Sequence, residues 1–148
     1  MERLEENKAT YRRFIDLLNS QKFDDLPEVV DPSTYREICV GATPGWVDYE
    51  QAVVSVRGIV ESMNDVTVHL EDMVAEGDKV FARATVTGTN TGSLMGMPPT
   101  NKSFQAHMFD YVKIDGGRIV ERIQMADNMG MMQQLMGGMP GMGGAPPG

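Results

Sequence analysis

The sequence predicts a single α+β domain in which helices come first and a mainly antiparallel sheet follows. Two segments of the first half, 5–19 and 48–63, carry apolar residues every three or four positions. In the second half the period shortens to two, and four runs rich in Val, Thr, Phe and Ile are separated by turn residues. The 148 residues suffice for one such domain.

The helical half begins with an amphipathic helix predicted over 5–19, whose charged residues lie opposite the apolar face. A short second helix is predicted over 24–30. Asp24 or Asp25 can cap it, and Pro27 falls in its first turn, where a missing N–H does no harm.

A short strand over 35–40 and a turn-rich link with the only tryptophan, Trp46, precede the third helix. That helix is predicted over 48–63, because Asp48 is a suitable N-cap and Gln51 completes a capping box. We expect it to pack across the sheet.

The second half is predicted to form antiparallel strands joined by tight turns. Glycines in 76–78 and 115–117 can adopt the positive φ that such hairpins need. The longer link 89–102, with its two glycines and a Pro-Pro, is predicted to be a surface loop that covers another feature, for which the opening of a cavity is one candidate. The four strands are predicted at 65–75, 79–88, 103–113 and 117–126.

The C-terminal end is predicted to contain a short helix from Asn128 followed by a tail that has no core-forming side chains. The Met/Gly/Pro-rich composition of 137–148 predicts disorder. We therefore expect the domain to span 1–136.

Composition excludes several classes of function. A net charge of −8 with scattered Lys and Arg argues against nucleic-acid or anionic-membrane binding. No apolar run approaches the ~20 residues that span a bilayer, so we expect a cytoplasmic protein. One cysteine, Cys39, and two histidines offer no zinc-like cluster, so no metal is expected.

Three segments together resemble the SnoaL-like polyketide and ester cyclase family of the nuclear-transport-factor-2-like superfamily. They are VAEGDKVFARATVTGTNTG, MGMPPT and DGGRIVERIQMAD. The resemblance implies a cone-shaped, curved sheet covered by N-terminal helices, an apolar pocket, and a homodimer or larger assembly. It also implies an aspartate general acid/base that works without a metal or organic cofactor.

Asp127 matches the family's catalytic aspartate by this resemblance. Strand alternation places it on one face with Ile119, Ile123 and Met125, which would set a carboxylate among apolar groups. Such a group suits proton abstraction between two carbonyls. The alternative is that Asp127 caps the final helix.

The preceding strand supplies further candidates, because Gln105, His107, Phe109 and Tyr111 share one face by alternation. Gln105 and His107 look like the polar pocket residues of characterised cyclases, which implies that they hold substrate oxygens, with Phe109 beside them. An imidazole and an amide can stabilise an enolate. The alternative for His107 is a hydrogen bond across the sheet.

Arg83 is a secondary candidate as an electrophilic anchor, although pairing with a neighbouring carboxylate is the favoured explanation. The resemblance would let Phe14, Tyr35 and Trp46 line the pocket, against ordinary core packing as the alternative. Where many relatives carry a tryptophan in the last strand, this chain has Ile123, so the substrate site differs.

The sequence thus predicts a cyclase or isomerase that acts on a small apolar carbonyl compound by aldol-type chemistry. A non-catalytic ligand-binding or dimerisation module of the same fold is the main alternative. An epoxide hydrolase resembling the limonene-epoxide type ranks lower, because Asp127 and Arg83 supply two members of its Asp-Arg-Asp arrangement but Thr85 stands at the third.

Overall fold

The protein is described from a computed structural model that covers residues 2–94 and 96–136. The predicted tail 137–148 lies outside the described residues. The helices are α1 (Glu2–Asn19), a 3₁₀ helix (Phe23–Glu28), α2 (Tyr49–Ser62) and α3 (Asn128–Met136). The strands are β1 (Arg36–Val40), β2 (Val47–Asp48), β3 (Thr67–Glu76), β4 (Lys79–Thr89), β5 (Ser103–Asp115) and β6 (Arg118–Ala126).

The predicted helix signals have mixed outcomes. Asp48 and Gln51 form the predicted capping box, in which each side chain accepts the other residue's backbone N–H. The second helix is a 3₁₀ helix, and Lys22 precedes it without a side-chain cap, so the predicted cap by Asp24 or Asp25 is wrong.

The α+β fold class is confirmed. Six strands form one unclosed sheet in the order β2-β1-β6-β5-β4-β3, with β2 and β3 at the edges. All neighbours are antiparallel except β1 and β6. The parallel pair and the two-residue β2 were not predicted, because the residues that join β1 to β6 are distant in sequence. Gly77, Gly116 and Gly117 have positive φ in the hairpin turns, as predicted.

Two register shifts change which side chains face inward. One lies between Leu70 and Asp72 of β3. The other lies in β6, where Ile114 of β5 is opposite Ile119 and Lys113 is opposite Glu121, so that Val120 is the extra residue. A bulge of this kind reverses the face of every later residue in its strand.

The core lies between α1, the 3₁₀ helix and the inner face of the sheet. Helix α1 contributes Tyr11, Phe14 and Leu17, all buried, from its apolar stripe. A second, smaller cluster joins α3 to β5 through Leu135 and Phe104. These two clusters leave a space between them beneath α2.

The loop after β4 is tied to the C-terminal end of α2. Thr91 and Gly92 donate their N–H groups to the Ser62 carbonyl, and the buried Asn90 side chain accepts the Thr100 N–H. A Cβ at Gly92 would overlap the Glu61 carbonyl, so only glycine allows this approach. The loop is thereby fixed at the C-terminal end of α2, and its Leu94 lines the cavity.

Candidate functional site

A cavity of about 270 Å³ lies between α2, α1 and the inner face of the sheet. Its walls are apolar. Helix α2 faces it with Ala52, Val53, Val56 and Val60, and Ser62 is the only fully buried residue of that helix. The apolar stripe of α2 therefore packs only partly against the core and also borders the cavity, which leaves part of its area available to an apolar ligand.

A buried ion pair between β5 and β6 lies at the floor of the cavity, where Arg122 is a lining residue and Asp110 lies behind it. Arg122 donates from Nε to both carboxylate oxygens of Asp110 at 3.0 Å, and its Nη2 lies 2.9 Å from Oδ2. The Tyr11 hydroxyl donates to the same Oδ2 at 2.7 Å. Asp110 has no exposed side-chain surface, so these contacts replace its hydration.

Glu37 of β1 extends this group toward the cavity. Its Oε1 accepts the Tyr35 hydroxyl at 2.6 Å and lies 3.6 Å from Nη1 of Arg122. Its Oε2 is 3.5 Å from the Cys39 sulfur. Tyr35, Glu37, Cys39 and Arg122 all line the cavity, so one end of an apolar space carries charged and hydrogen-bonding groups.

Burial sets the ionisation of these groups. It raises the pKa of both the Tyr11 and Tyr35 hydroxyls, and the neighbouring carboxylates add to the effect. Burial also raises the pKa of the Cys39 thiol to about 11, with Glu37 acting in the same direction. The two tyrosines and the thiol therefore stay protonated at neutral pH and act as donors.

Opposing effects act on the pKa values of the paired Asp110 and Arg122. Complete burial raises the pKa of Asp110, whereas Arg122 and the Tyr11 hydrogen bond act to lower it. Burial acts to lower the pKa of Arg122, but Asp110 and Glu37 outweigh it and the pKa rises. The short contacts at both carboxylate oxygens favour the ionised pair.

Strand register explains why Arg122 and Gln124 point inward. Asp110 is directly opposite Gln124, and Val112 is opposite Arg122, so all four share the inner face. The bulge at Val120 shifts the alternation of β6. The predicted shared face of Ile119, Ile123 and Met125 is therefore wrong: Ile119 is fully buried, while Met125 is exposed on the other face.

The face predicted for β5 is also wrong. Gln105, His107 and Phe109 are exposed on the outer face, and the inward residues are Phe104, Ala106, Met108 and Asp110. Arg83 of β4 is likewise exposed and lies opposite Phe109. None of the four predicted residues on these two strands lines the cavity, because the inward phase of β5 is the one that contains Asp110.

Of the three aromatic residues predicted from the helical half to line the pocket, two do so. Phe14 and Tyr35 line the cavity, as predicted, and Phe14 packs with its ring centroid 5.2 Å from the Arg122 guanidinium carbon. Trp46 does not line it: the indole is 43% exposed and lies beneath the Arg36 guanidinium, at 4.0 Å. The predicted pocket role of Trp46 is wrong for this reason.

Asp127 lies at the rim of the cavity, immediately before α3. Its Oδ1 accepts the Gly130 N–H at 2.9 Å, which is the hydrogen bond of a helix N-cap. Its backbone N–H donates to the His107 carbonyl. The capping alternative is thus present in the structure, and the same carboxylate borders the cavity.

Sequence reasoning missed three charged residues of the floor: Glu37, Asp110 and Arg122. The available signal was that such a charge shares one face of its strand with apolar residues, as in the run Phe104, Ala106, Met108, Asp110, Val112, Ile114.

Within the described part of the chain, no group of three or more His, Cys, Asp or Glu residues is placed to hold a metal ion. No helix described here combines the length and apolarity that crossing a membrane requires.

Comparison with known proteins agrees with this architecture. Residues 8–135 match the family model described as SnoaL-like polyketide cyclase. The chain belongs to the SnoaL-like polyketide cyclase family. Within the family, aklanonic acid methyl ester cyclase DnrD of Streptomyces peucetius is 25% identical over 126 residues, which cover 84% of this chain and 86% of that protein. Nogalonic acid methyl ester cyclase of Streptomyces nogalater is 26% identical over 125 residues, covering 82% and 90%.

Solved structures of the SnoaL-like fold also superpose on the chain. IdmH of Streptomyces antibioticus, a proposed polyketide cyclase, has a TM-score of 0.79 at 26% identity and covers 88% of this chain and 98% of its own. AclR of Streptomyces galilaeus, a proposed hydroxylase, has a TM-score of 0.81 at 21% identity, covering 93% and 84%. The second likeness shows the fold alone.

Proposed function

We propose that this protein is a cofactor-independent cyclase that binds a small, mostly apolar polyketide ester and closes a ring by intramolecular aldol chemistry. The observation that carries the proposal is the cavity itself, with apolar walls from α2 and a polar floor at Arg122, Glu37 and Tyr35. An elongated molecule with oxygens at one end and hydrocarbon at the other matches that distribution.

Substrate oxygens would bind at the floor. Nη1 of Arg122 is 3.6 Å from Glu37 and donates no hydrogen bond to the described residues, so it can donate to a carbonyl or enolate oxygen. The Gln124 amide lines the cavity beside it and makes no side-chain hydrogen bond to the described residues. Donors that are already oriented in a water-poor site stabilise a developing enolate more strongly than water does.

Asp127 is the proposed general acid/base. One of its carboxylate oxygens is occupied by the Gly130 N–H, which leaves Oδ2 to accept a proton from the carbon between two carbonyls. The resulting carbanion would form a bond to a second carbonyl carbon, and the alkoxide formed there would take the proton back. His107, predicted as a catalytic partner, has its side chain on the outer face, so Arg122 and Gln124 take the role of orienting the substrate.

The test uses aklanonic acid methyl ester and nogalonic acid methyl ester, the substrates named for the two relatives, with product separated chromatographically at unchanged mass. We expect ring closure by the wild type and a loss of at least about 100-fold in kcat for Asp127→Asn. Because Asn is as good an N-cap as Asp, this variant keeps the helix start. Asp25→Asn, an exposed carboxylate of the 3₁₀ helix, is the matched control.

A second candidate is a non-catalytic binding module, favoured by the capping bond of Asp127 and the mutual pairing of the floor charges. In that case both esters would raise the melting temperature but give no product, and Asp127→Asn would not change either result. The epoxide hydrolase alternative has no support: Arg83 and Thr85 lie on the outer face, and of the two Arg122-bound carboxylates only Glu37 lines the cavity.

A further inference from the structure

Glu37 is a buried carboxylate for which the proposed ring closure has no step. Its side chain is 8% exposed and lines the cavity. Its Oε1 accepts the Tyr35 hydroxyl at 2.6 Å, and Nη1 of Arg122 lies 3.6 Å away, too far for a good hydrogen bond. Its Oε2 is contacted by the Cys39 thiol at 3.5 Å, and a thiol is a weak donor. Glu37 therefore has acceptor capacity that the described residues do not fill.

The neighbouring Asp110 shows what full pairing looks like on the same floor. Both of its carboxylate oxygens accept Nε of Arg122 at 3.0 Å, Nη2 lies 2.9 Å from Oδ2, and the Tyr11 hydroxyl donates at 2.7 Å. A buried carboxylate is stable when donors replace its hydration. Glu37 and Cys39 both line the cavity, so a donor on a bound ligand can reach Oε2 of Glu37.

The charges of the cavity decide which kind of donor fits. Among the described residues that line it, Arg122 is the one basic side chain, whereas Glu37 and Asp127 are acidic. The guanidinium is already paired with Asp110 behind it, so a carboxylate on the ligand would add to an excess of negative charge in an apolar space. An ammonium group would be repelled by Arg122, whose Nη1 is 3.6 Å from the same Glu37. A neutral hydroxyl avoids both costs.

We infer that Glu37 is the residue that selects the ligand: its Oε2 accepts a hydrogen bond from a neutral hydroxyl group on the ligand, and its charge excludes ligands that end in a carboxylate. The polyketide ester of the proposed reaction would then carry a hydroxyl at the end that enters the floor, beside the carbonyl held by Arg122. The inference rests on the proposed function for the position of the ligand, but it needs no ring closure.

The test is isothermal titration calorimetry of the full chain with three two-ring probes that carry different groups at the same ring position: naphthol, methoxynaphthalene and naphthoate. Naphthol donates a hydrogen bond, methoxynaphthalene only accepts one, and naphthoate is an anion. We expect the wild type to bind naphthol at least about 10-fold more tightly than either of the others, because both lack the hydrogen bond to a charged acceptor. Equal affinities for naphthol and methoxynaphthalene overturn the inference, and so does the absence of binding by all three. Tighter binding of naphthylmethylammonium than of naphthol also overturns it.

Glu37→Gln removes the charge and keeps the shape of the side chain. It should weaken naphthol binding by at least about 10-fold and strengthen naphthoate binding by a similar factor, because only the Arg122–Asp110 pair then remains charged at the floor. A gain of binding cannot result from a damaged fold. Glu121→Gln, at a β6 glutamate that pairs with Arg36 and does not line the cavity, is the matched control and should change neither affinity. If Glu37→Gln leaves the naphthoate affinity unchanged, the inference fails.

A measurement on the wild type holds even if the Glu37 variant fails to fold. Because the Cys39 sulfur lies 3.5 Å from Oε2 of Glu37, bound naphthol should slow alkylation of Cys39 by iodoacetamide in proportion to the fraction of protein bound. Unchanged alkylation at saturating naphthol places the probe elsewhere and overturns the inference. Ring closure of the esters without discrimination among the probes overturns the inference alone, whereas discrimination without ring closure overturns only the proposed catalysis.

Discussion

The two faces of the sheet differ in the partners that surround their side chains. On β5, Phe104, Met108 and Asp110 face inward and are buried. Their immediate neighbours Gln105, His107 and Phe109 face outward and remain exposed. The inner face can hold a charge because partners are built around it, and the outer face holds large apolar groups without partners from its own chain. One charged residue in a strand therefore does not mean that its face is exposed.

The sharpest test of this difference is removal of the inner carboxylate. Asp110→Ala removes the hydrogen-bonded partner of the buried Arg122 guanidinium, leaving only Glu37 at 3.6 Å, and should cost about 3–5 kcal/mol in the free energy of unfolding by urea. Asp72→Ala, the same change on the outer face, should stay within about 0.5 kcal/mol. Replacing both members by apolar residues, Asp110→Leu with Arg122→Met, should recover most of the loss. Equal effects of the two Asp→Ala changes would contradict the buried ion pair.

Two adjacent residues of β5 give a second comparison. Met108 is 2% exposed and Phe109 is 57% exposed. Met108→Ala should lower the free energy of unfolding by about 2–5 kcal/mol, because it removes buried contacts and leaves a cavity. Phe109→Ala, measured at dilute protein where association does not contribute, should change it by about 0.5 kcal/mol or less. The reverse order would mean that the strand faces are exchanged.

A smaller effect is expected where the inner face ends and α3 begins. Asp127→Ala removes the N-cap bond to Gly130 and should cost about 1 kcal/mol, whereas Asp127→Asn should cost little. Gly130→Ala should also displace the carboxylate, since a Cβ there overlaps it. Thermal unfolding of the three variants at one concentration measures this. If Asp127→Asn lost as much stability as Asp127→Ala, the carboxylate charge, and not the cap, would stabilise the helix.

The smallest expected effect concerns pH. Burial raises the pKa of Cys39 to about 11, above the ~8.5 of an exposed thiol, so the folded state binds the extra proton between those values. Its contribution to stability is therefore complete below about pH 8.5 and is lost as pH rises toward 11. The stability difference between wild type and Cys39→Ala should shrink over that window, and alkylation of Cys39 by iodoacetamide should accelerate over the same range. A fast reaction at pH 7 would mean that the thiol is not buried beside Glu37.

Local patterns in the sequence carry much of the fold. The 3.6-residue period of α1 and α2, the capping box at Asp48 and the glycines of the hairpin turns all act within a few residues. Each was predictable because its physical cause is local. The order of helices followed by strands also predicted the α+β class, and the family motifs narrowed it further.

The strand faces required more than local patterns. In β5 the apolar phase that contains Asp110 marks the inner face, but the resemblance placed Gln105 and His107 of the other phase in the site, and only the positions of Arg122 and Tyr11 show how the carboxylate is held. In β6 the bulge at Val120 exchanges the faces of all later residues, and nothing in the alternation of that strand marks its position. Because of these two errors, residues that were predicted to line the site lie on the outer face of the sheet.

By itself, the sequence determined most of the helices and strands, the hairpin turns, the acidic charge and the membership in a family of cyclases, since each depends on neighbouring residues or on a motif. Only the tertiary structure decided that Glu37, Asp110 and Arg122, from three strands, share one buried floor. It also decided that Asp127 caps α3 while bordering the cavity. The physical reason is that pairing between distant strands depends on register, and register places charges together that are far apart in the chain.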